Sequence, residues 1–147
     1  MFTVDASVWV NADSPAEPHQ PQSRALLDLL FARRVPILLP TLLPAELAGA
    51  ISRTRGDPVI ALDMATALLA LPTVRWIPLD DGLARRAAEL AARHRLRGAD
   101  AVYAAVAMEH GCELISLDRE HLTRLVTVVP TFTPADALSR LAATGSP

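Results

Sequence analysis

Residues 97–118 read RGADAVYAAVAMEHGCELISLD and contain a helical segment that is followed by an apolar run. The pattern predicts a helix over Ala99–Glu109, which opens after Gly98. Glu113–Leu117 is short and almost continuously apolar, as is typical of a strand that is covered on both faces. A helix that leads into such a strand is the repeating unit of a parallel α/β sheet.

The same alternation extends in both directions along the chain. Further strands are predicted at Phe2–Val4, Val35–Leu39, Val74–Leu79 and Val126–Val129. Further helices are predicted at Gln22–Arg33, Pro44–Arg53, Pro58–Leu71, Gly82–Arg95 and from Thr133 and Pro134 onward. The predicted helix caps are Asp57, Asp80 or Asp81, and Asp136. Together the segments predict a parallel sheet of about five strands with right-handed helical crossovers.

The length and composition are typical of one compact unit. The 147 residues are 51% hydrophobic and 20% charged, so we expect a single globular domain over residues 1–147, with a flexible tail at residues 142–147. All 14 basic residues are arginine, which excludes mechanisms that need a lysine. Cys112 is the only cysteine, so the sequence provides no disulfide framework and no cysteine metal site.

Neither export nor membrane insertion is predicted. The N-terminus has no basic region followed by an apolar stretch, so no signal peptide is visible. The most apolar stretch, residues 35–51, contains three prolines and Glu46, which excludes a membrane span. We therefore expect a cytoplasmic protein.

Four acidic residues lie where a parallel sheet gathers its ligands, at the carboxyl ends of strands or in the helix turns that follow them. They are Asp5, Glu46, Asp100 and Asp118. Ser7 and Ser116 lie close to two of the strand ends, and their short hydroxyls are able to orient a carboxylate or to bind a water molecule of a metal. The set predicts one acidic site with supporting hydroxyls.

Such a cluster is unfavourable without a counter-ion. Two unit charges about 4 Å apart repel by about 4 kcal/mol at an effective dielectric near 20. Carboxylates without cysteine or histidine ligands suit Mg²⁺, or Mn²⁺, better than zinc. Metals beside a phosphodiester activate water and stabilise the leaving oxygen, so the site predicts metal-dependent hydrolysis.

Each acid also has an ordinary structural interpretation. Asp100 could be a helix N-terminal acid that the helix dipole favours, and Asp118 could cap the short turn DREHL. Glu46 could be a first-turn acid that faces solvent. Asp5 is harder to explain in this way, because a charge at the end of a buried strand needs a partner. His121, three residues after Asp118, is interpreted as a surface residue.

Three arginines are candidates for contacts with RNA phosphates, because each lies next to or on a helix that carries a predicted site acid. They are Arg53, Arg55 and Arg97.

Four segments resemble, in order and spacing, the four motifs of PIN-domain ribonucleases. They are VDASVWV (residues 4–10), LLPAELAGAI (42–51), RGADAVYAAVA (97–107) and LISLDREHL (114–122). The resemblance covers nearly the whole chain, and RGADAVYAAVA is the most distinctive of the four segments. Within the family, the size and pattern are most similar to the VapC-type ribonuclease toxins of bacterial toxin–antitoxin pairs. The proline-rich stretch after Asn11 departs from the family pattern.

This resemblance implies a three-layer α/β/α sandwich and an endoribonuclease that uses Mg²⁺ or Mn²⁺. It places Asp5, Glu46, Asp100 and Asp118 at the catalytic and metal-binding positions, with Ser116 as a supporting hydroxyl. Water activated by the metal would attack the phosphorus in line, and the product would carry a 5′-phosphate. The resemblance also implies a homodimer that a small cognate antitoxin protein silences.

Other functions remain open to different degrees. A response-regulator receiver and a haloacid-dehalogenase phosphatase both need a lysine, which this chain lacks. A PIN-fold module that binds RNA or protein without cutting it is an alternative, although the complete acidic set argues against it. A small DNA nuclease is a further alternative, which the absence of appended domains makes less favourable.

Overall fold

The structure is a computed structural model that describes residues 1–143. Strands and helices alternate along the chain, as the apolar runs and helical patterns predict. In chain order they are β1 (Phe2–Val4), α1 (Ala6–Ala12), α2 (Gln20–Ala32), β2 (Ile37–Pro40), α3 (Leu43–Arg55), α4 (Pro58–Leu69), β3 (Val74–Ile77), α5 (Asp81–His94), α6 (Gly98–Glu109), β4 (Glu113–Ile115), α7 (Arg119–Arg124), β5 (Thr131–Phe132) and α8 (Pro134–Ala143).

The five strands form one parallel sheet in the order β3-β2-β1-β4-β5. From β1 the chain adds β2 and β3 on one side, and it then returns to add β4 and β5 on the other side. The sheet therefore has a topological switch point between β1 and β4, where Val4 pairs with Ile115. At such a point the two sets of crossovers diverge and leave a crevice at the carboxyl ends of the strands.

Helices cover both faces of the sheet, which confirms the predicted three-layer α/β/α sandwich. Helix α6 packs against β1, β2 and β4, and α5 packs against α6. Residues 101–107 of α6 are all buried, because four alanines in this stretch allow the helix to lie close to the strands. This close packing places the first turn of α6 beside the switch point.

Local signals set most helix starts as predicted. Asp57 and Asp80 accept hydrogen bonds from the first turns of α4 and α5, and Pro44 lies in the first turn of α3. Thr133 and Asp136 exchange hydrogen bonds before α8, which confirms the predicted capping box.

The prediction of a strand at Val126–Val129 was wrong. Val128 N and Val129 N both donate to the carbonyl of Leu125 at 2.8 and 3.0 Å, so this segment is a turn, and Val126 is 68% exposed. The strand that pairs with β4 is instead Thr131–Phe132, and Ser116 N, directly after β4, donates to Phe132 O. A valine-rich stretch of four residues has the same sequence pattern in a turn as in a strand. Only its failure to pair with β4 shows that this segment is a turn.

Helices α1 and α7 were not predicted from the sequence, and α8 extends further towards the C-terminus than predicted. Helix α1 follows Asp5 directly, and Trp9 Nε1 donates to the carbonyl of Val4, which holds the helix against β1. Helix α7 spans the segment that was predicted as a turn. Residues 142 and 143 of the predicted flexible tail belong to α8, and residues 144–147 lie outside the described part of the chain.

Two remaining predictions concern the core and the membrane. Cys112 is buried, with 3% of its surface exposed, and carries no disulfide. Among residues 1–143, no helix combines the length and apolar character needed to cross a membrane.

Candidate active site

Asp5 lies at the switch point, directly after β1, and caps α1. Its backbone N donates to the carbonyl of Ile115 at 2.9 Å, which ties it to β4. Its Oδ2 accepts bonds from Ser7 N at 3.1 Å, from Ser7 Oγ at 2.5 Å and from Ser116 Oγ at 3.2 Å. The carboxylate is only 4% exposed, so these donors provide the partners that a buried charge at a strand end needs. Both serines thus orient Asp5, as the sequence suggested.

Asp100 lies in the first turn of α6, beside Asp5. Within residues 1–143 its Oδ2 is one of the few buried side-chain oxygens that have no hydrogen-bond partner. Burial is the largest cause that raises the pKa of Asp100 above its ordinary value of 3.8. Interaction with His121 opposes this rise, whereas the charges of Asp118 and Asp5 add to it. A buried carboxylate oxygen without a donor is what a bound cation would satisfy.

Glu46 approaches the same site from the first turn of α3. The buried hydroxyl of Tyr103 donates to its Oε2 at 2.5 Å. Burial raises the pKa of Glu46 above its ordinary value of 4.5, the Tyr103 hydrogen bond lowers it, and the charges of Asp5 and Asp100 raise it. The prediction that Glu46 belongs with the other acids therefore agrees with its electrostatic surroundings. The alternative of a solvent-facing acid does not explain the bond to Tyr103.

Asp118 caps α7 and also acts electrostatically on Asp100. Its Oδ1 accepts from Glu120 N at 2.6 Å, so it caps α7. Its charge also contributes to the raised pKa of Asp100, which places it near the other acids. The structure thus brings Asp5 and Asp100 together, and Glu46 and Asp118 lie near enough to interact with them electrostatically.

The interpretation of His121 as a surface residue was wrong. The side chain is fully buried, and its two ring nitrogens contact Ser116 Oγ and the carbonyl of Asp100, each at 2.9 Å. One ligand atom from each of Asp5, Asp100 and His121 lies within 4.8 Å of the others. The missed signal is helical spacing, because His121 follows Asp118 by three residues and so lies on the same side of α7.

Tyr103 is the second site residue that the sequence did not single out. It lies one turn after Asp100 on α6, with 1% of its surface exposed. Burial and the neighbouring Glu46 raise the pKa of Tyr103 far above its ordinary value of 10.0, so its hydroxyl stays protonated and donates. Tyr103 follows Asp100 by three residues, as His121 follows Asp118, and this spacing could have identified Tyr103 as a site residue.

A cleft of about 600 Å³ opens between α1 and α3, and Glu46 is the one member of the four predicted acids that lines it. Ser7 and Glu46 line it, and so does Arg53, which follows Glu46 by about two turns of α3. The loop between α1 and α2 contributes Glu17 and His19. The cleft thus connects the acidic cluster to a cationic side chain.

The three arginines predicted to contact RNA differ in their surroundings. Arg53 is exposed and lines the cleft. Arg55 forms an ion pair with Asp13, with Nη2 at 2.5 Å from Oδ2, which joins the ends of α3 and α1. Arg97 is exposed at the start of α6, and its charge lowers the pKa of Asp100 as one of the smaller causes. Of the three, Arg53 has the placement that fits a substrate phosphate best.

The donor set fits a divalent cation. Asp5 and Asp100 offer hard carboxylate oxygens, and the Oδ2 of Asp100 is an acceptor to which no group of residues 1–143 donates. Mg²⁺ and Mn²⁺ prefer such oxygen ligands. Both nitrogens of His121 already contact protein atoms, so the histidine does not make the site resemble a zinc centre.

Comparisons with known proteins agree with this arrangement. The family model described as PIN domain matches residues 2–126. A search of curated protein sequences found no match. Among solved structures, the chain is similar in fold to VapC20 of Mycobacterium tuberculosis, described as a toxin that cleaves the sarcin-ricin loop. The identity is 21%, the alignment covers 88% of this chain and 100% of that one, and the TM-score is 0.70.

Two further structures have comparable folds. FitAcB from Neisseria gonorrhoeae is 23% identical, with 92% of this chain and 99% of that one covered and a TM-score of 0.68. A toxin–antitoxin complex from Klebsiella pneumoniae contains a chain that is 18% identical, with coverages of 91% and 98% and a TM-score of 0.66.

Proposed function

This chain belongs to the PIN-domain family, and on that basis we propose that it is a divalent-metal-dependent endoribonuclease and the toxin of a toxin–antitoxin pair. The observation that carries the proposal is the buried Oδ2 of Asp100, which has no hydrogen-bond partner within residues 1–143 and faces a site shared with Asp5. A purely structural helix-end acid would instead be solvated or would cap its own helix.

Each acid has a distinct role in this proposal. Asp5 and Asp100 would hold the cation, and Asp118 would support it through its interaction with Asp100. A bound Mg²⁺ or Mn²⁺ would supply activation of water and stabilisation of the leaving oxygen. Glu46 accepts the proton of the attacking water, because burial raises its pKa towards neutrality and so makes it a better base. Ser7 and Ser116 keep Asp5 in place by donating to its Oδ2.

RNA is the substrate class that the cleft supports. Arg53 lies along the cleft beyond Glu46, where its guanidinium can bind a phosphate while the scissile bond lies at the acids. The fold similarity to a toxin described as cleaving the sarcin-ricin loop supports RNA over DNA. In this proposal, Arg55 and Arg97 contribute weaker contacts with RNA phosphates.

An antitoxin and a second copy of this chain are the proposed protein partners. One neighbour in fold is described as part of a toxin–antitoxin complex, which supports a protein antitoxin here. An arginine of such a partner could occupy the acidic cluster in place of the cation. Light scattering on the purified chain, alone and with the product of an adjacent gene, tests both assemblies.

A cleavage assay tests the enzymatic proposal. Wild type is incubated with total RNA and with single-stranded DNA, in Mg²⁺, Mn²⁺ or excess chelator. We expect metal-dependent RNA cleavage that falls by orders of magnitude in Asp5→Asn, Glu46→Gln and Asp100→Asn. Asp63→Asn, which removes an exposed acid on α4, is the matched control and should keep full activity.

The outcomes separate the proposal from its alternatives. Cleavage of DNA alone would favour the small DNA nuclease. RNA binding without cleavage in any metal would favour the non-catalytic binding module. Full cleavage by folded Asp100→Asn in excess chelator would contradict the role of the acidic site.

A further inference from the structure

The imidazole of His121 connects the elements that carry the acidic site. Its Nε2 lies 2.9 Å from the backbone carbonyl of Asp100 in the first turn of α6. Its Nδ1 lies 2.9 Å from Ser116 Oγ, directly after β4. The side chain has no exposed surface, so both contacts are protected from water. A single buried ring therefore spans the gap between α6 and the end of β4.

The hydrogen-bonding capacity of the Asp100 carbonyl defines which atom donates at one end of this ring. A backbone carbonyl only accepts, so Nε2 carries a hydrogen and donates to Asp100. Ser116 Oγ accepts from Asp118 N at 2.9 Å and also lies 3.2 Å from Asp5 Oδ2. A continuous chain of contacts thus runs from Asp100 through His121 and Ser116 to Asp5.

The N-cap of α6 contributes no side-chain hydrogen bond to the first turn of the helix. The N-cap residue is Arg97, which is exposed. Gly98 is exposed as well, and the space around the position of a Cβ there is open. The contact with His121 therefore restrains a turn whose own cap does not restrain it.

We propose that His121 is a positioning residue that holds the Asp100 and Asp5 carboxylates at the separation a divalent cation requires, without ligating the cation itself. Its two ring nitrogens are engaged by Asp100 and Ser116 and so are not free to coordinate a metal. The inference rests on the proposed metal-dependent function and deepens it. Loss of a residue that orients the metal ligands without binding the metal itself typically weakens metal affinity by about 10- to 100-fold.

Two substitutions separate the two contacts of the ring. In His121→Gln, the side-chain amide reaches the position of Nε2 and can donate to the Asp100 carbonyl. In His121→Asn, the shorter amide reaches only the position of Nδ1 and Ser116. Leu68→Ala is the control, because it removes a buried side chain from α4, which carries none of the site acids.

The experiment measures Mn²⁺ binding to the purified full chain by electron paramagnetic resonance of the free ion, together with the melting temperature in chelator. We expect His121→Asn to bind Mn²⁺ about 10- to 100-fold more weakly than wild type, and His121→Gln to recover most of that loss. Leu68→Ala should melt at a lower temperature with an unchanged Mn²⁺ dissociation constant. If His121→Asn does not fold, Ser116→Ala cuts the same chain of contacts and should weaken binding similarly.

The outcomes distinguish this inference from the proposed function. Wild-type Mn²⁺ affinity in folded His121→Asn or Ser116→Ala would overturn the positioning role and leave the nuclease proposal intact. Equal loss in His121→Asn and His121→Gln would also overturn it, since contact with Asp100 would then be irrelevant. Absence of Mn²⁺ binding by wild type would overturn the proposed function and this inference together.

Discussion

The Tyr103 hydroxyl donates a 2.5 Å hydrogen bond to Glu46 Oε2, and this bond joins α6 to the first turn of α3. Tyr103 is 1% exposed, so the donor is available to Glu46 and not to water. The bond opposes the rise in the pKa of Glu46 that burial causes. Tyr103 therefore influences both the orientation of Glu46 and the pH at which it ionises.

Tyr103→Phe should move the acid limb of the pH–activity profile to higher pH. Without the hydroxyl, the pKa of Glu46 rises further, and Glu46 must be ionised to accept a proton. A hydrogen bond to a charged group contributes about 1.5–3 kcal/mol, so some loss of stability is also expected. The measurement is kcat/KM for RNA between pH 5 and 9. In a Glu46→Gln background the same substitution should leave the profile unchanged, and an unshifted acid limb in the single variant would contradict the prediction.

Asp100→Asn should raise the melting temperature in chelator. The pKa of Asp100 is raised in the folded state, so with increasing pH the unfolded chain ionises this group first, near 3.8. Stability therefore falls as pH rises from that value through the folded pKa, and it remains reduced at higher pH. The Asn variant should gain more over wild type at pH 8 than at pH 4, as thermal melts at both pH values would show.

Magnesium should reverse this penalty in wild type and not in the variant. Binding to the folded site stabilises it by about 2.7 kcal/mol at a hundredfold excess over the dissociation constant. Calorimetric melts of wild type, Asp100→Asn and the control Asp63→Asn, with and without Mg²⁺, measure the gain. A lower melting temperature for Asp100→Asn in chelator, together with an unchanged gain from Mg²⁺, would mean that the acids do not share a site.

Arg53→Ala should weaken RNA binding more than Arg55→Ala. Arg53 lines the cleft, whereas the guanidinium of Arg55 is paired with Asp13. Loss of one phosphate contact lowers the dependence of log Kd on log salt by about one unit. Fluorescence anisotropy with Asp100→Asn as the parent keeps the RNA intact, and exposed Arg93, which does not line the cleft, supplies the control Arg93→Ala. Equal effects of Arg53→Ala and Arg93→Ala would contradict the proposal that Arg53 binds an RNA phosphate in the cleft.

Expression of wild type in a bacterial host should arrest growth, whereas Asp100→Asn expressed at the same level should not. The reason is that RNA cleavage depends on the acidic site in the proposed function. Colony counts after induction, with RNA-end sequencing in parallel, measure the effect. Co-expression of the cognate antitoxin should restore growth. Normal growth during demonstrated RNA cleavage would contradict the toxin role and leave the nuclease activity in place.

The parallel sheet and the location of the four acids were predictable because they depend on local patterns. Buried strands are continuously apolar, and acids that follow them lie at one edge of a parallel sheet. The error at Val126–Val129 shows the limit of such patterns. Valines there form a turn on the carbonyl of Leu125, and the strand that pairs with β4 begins at Thr131. Pairing between residues distant in the chain decided that outcome.

The sequence by itself determined the fold class, the helix caps and the set of acidic residues, since these follow from hydrophobic period and from side-chain chemistry. Only the tertiary structure decided which groups surround those acids. His121 looked like a surface residue in DREHL, and it is fully buried because its ring lies between Ser116 and the backbone carbonyl of Asp100. Tyr103 looked like one more core residue of α6, and only the folded chain brings its hydroxyl to Glu46, 57 residues away in the sequence. Hydrogen bonds between segments that are distant in the chain leave no periodic pattern in the sequence. Their partners therefore become known only when the chain is folded.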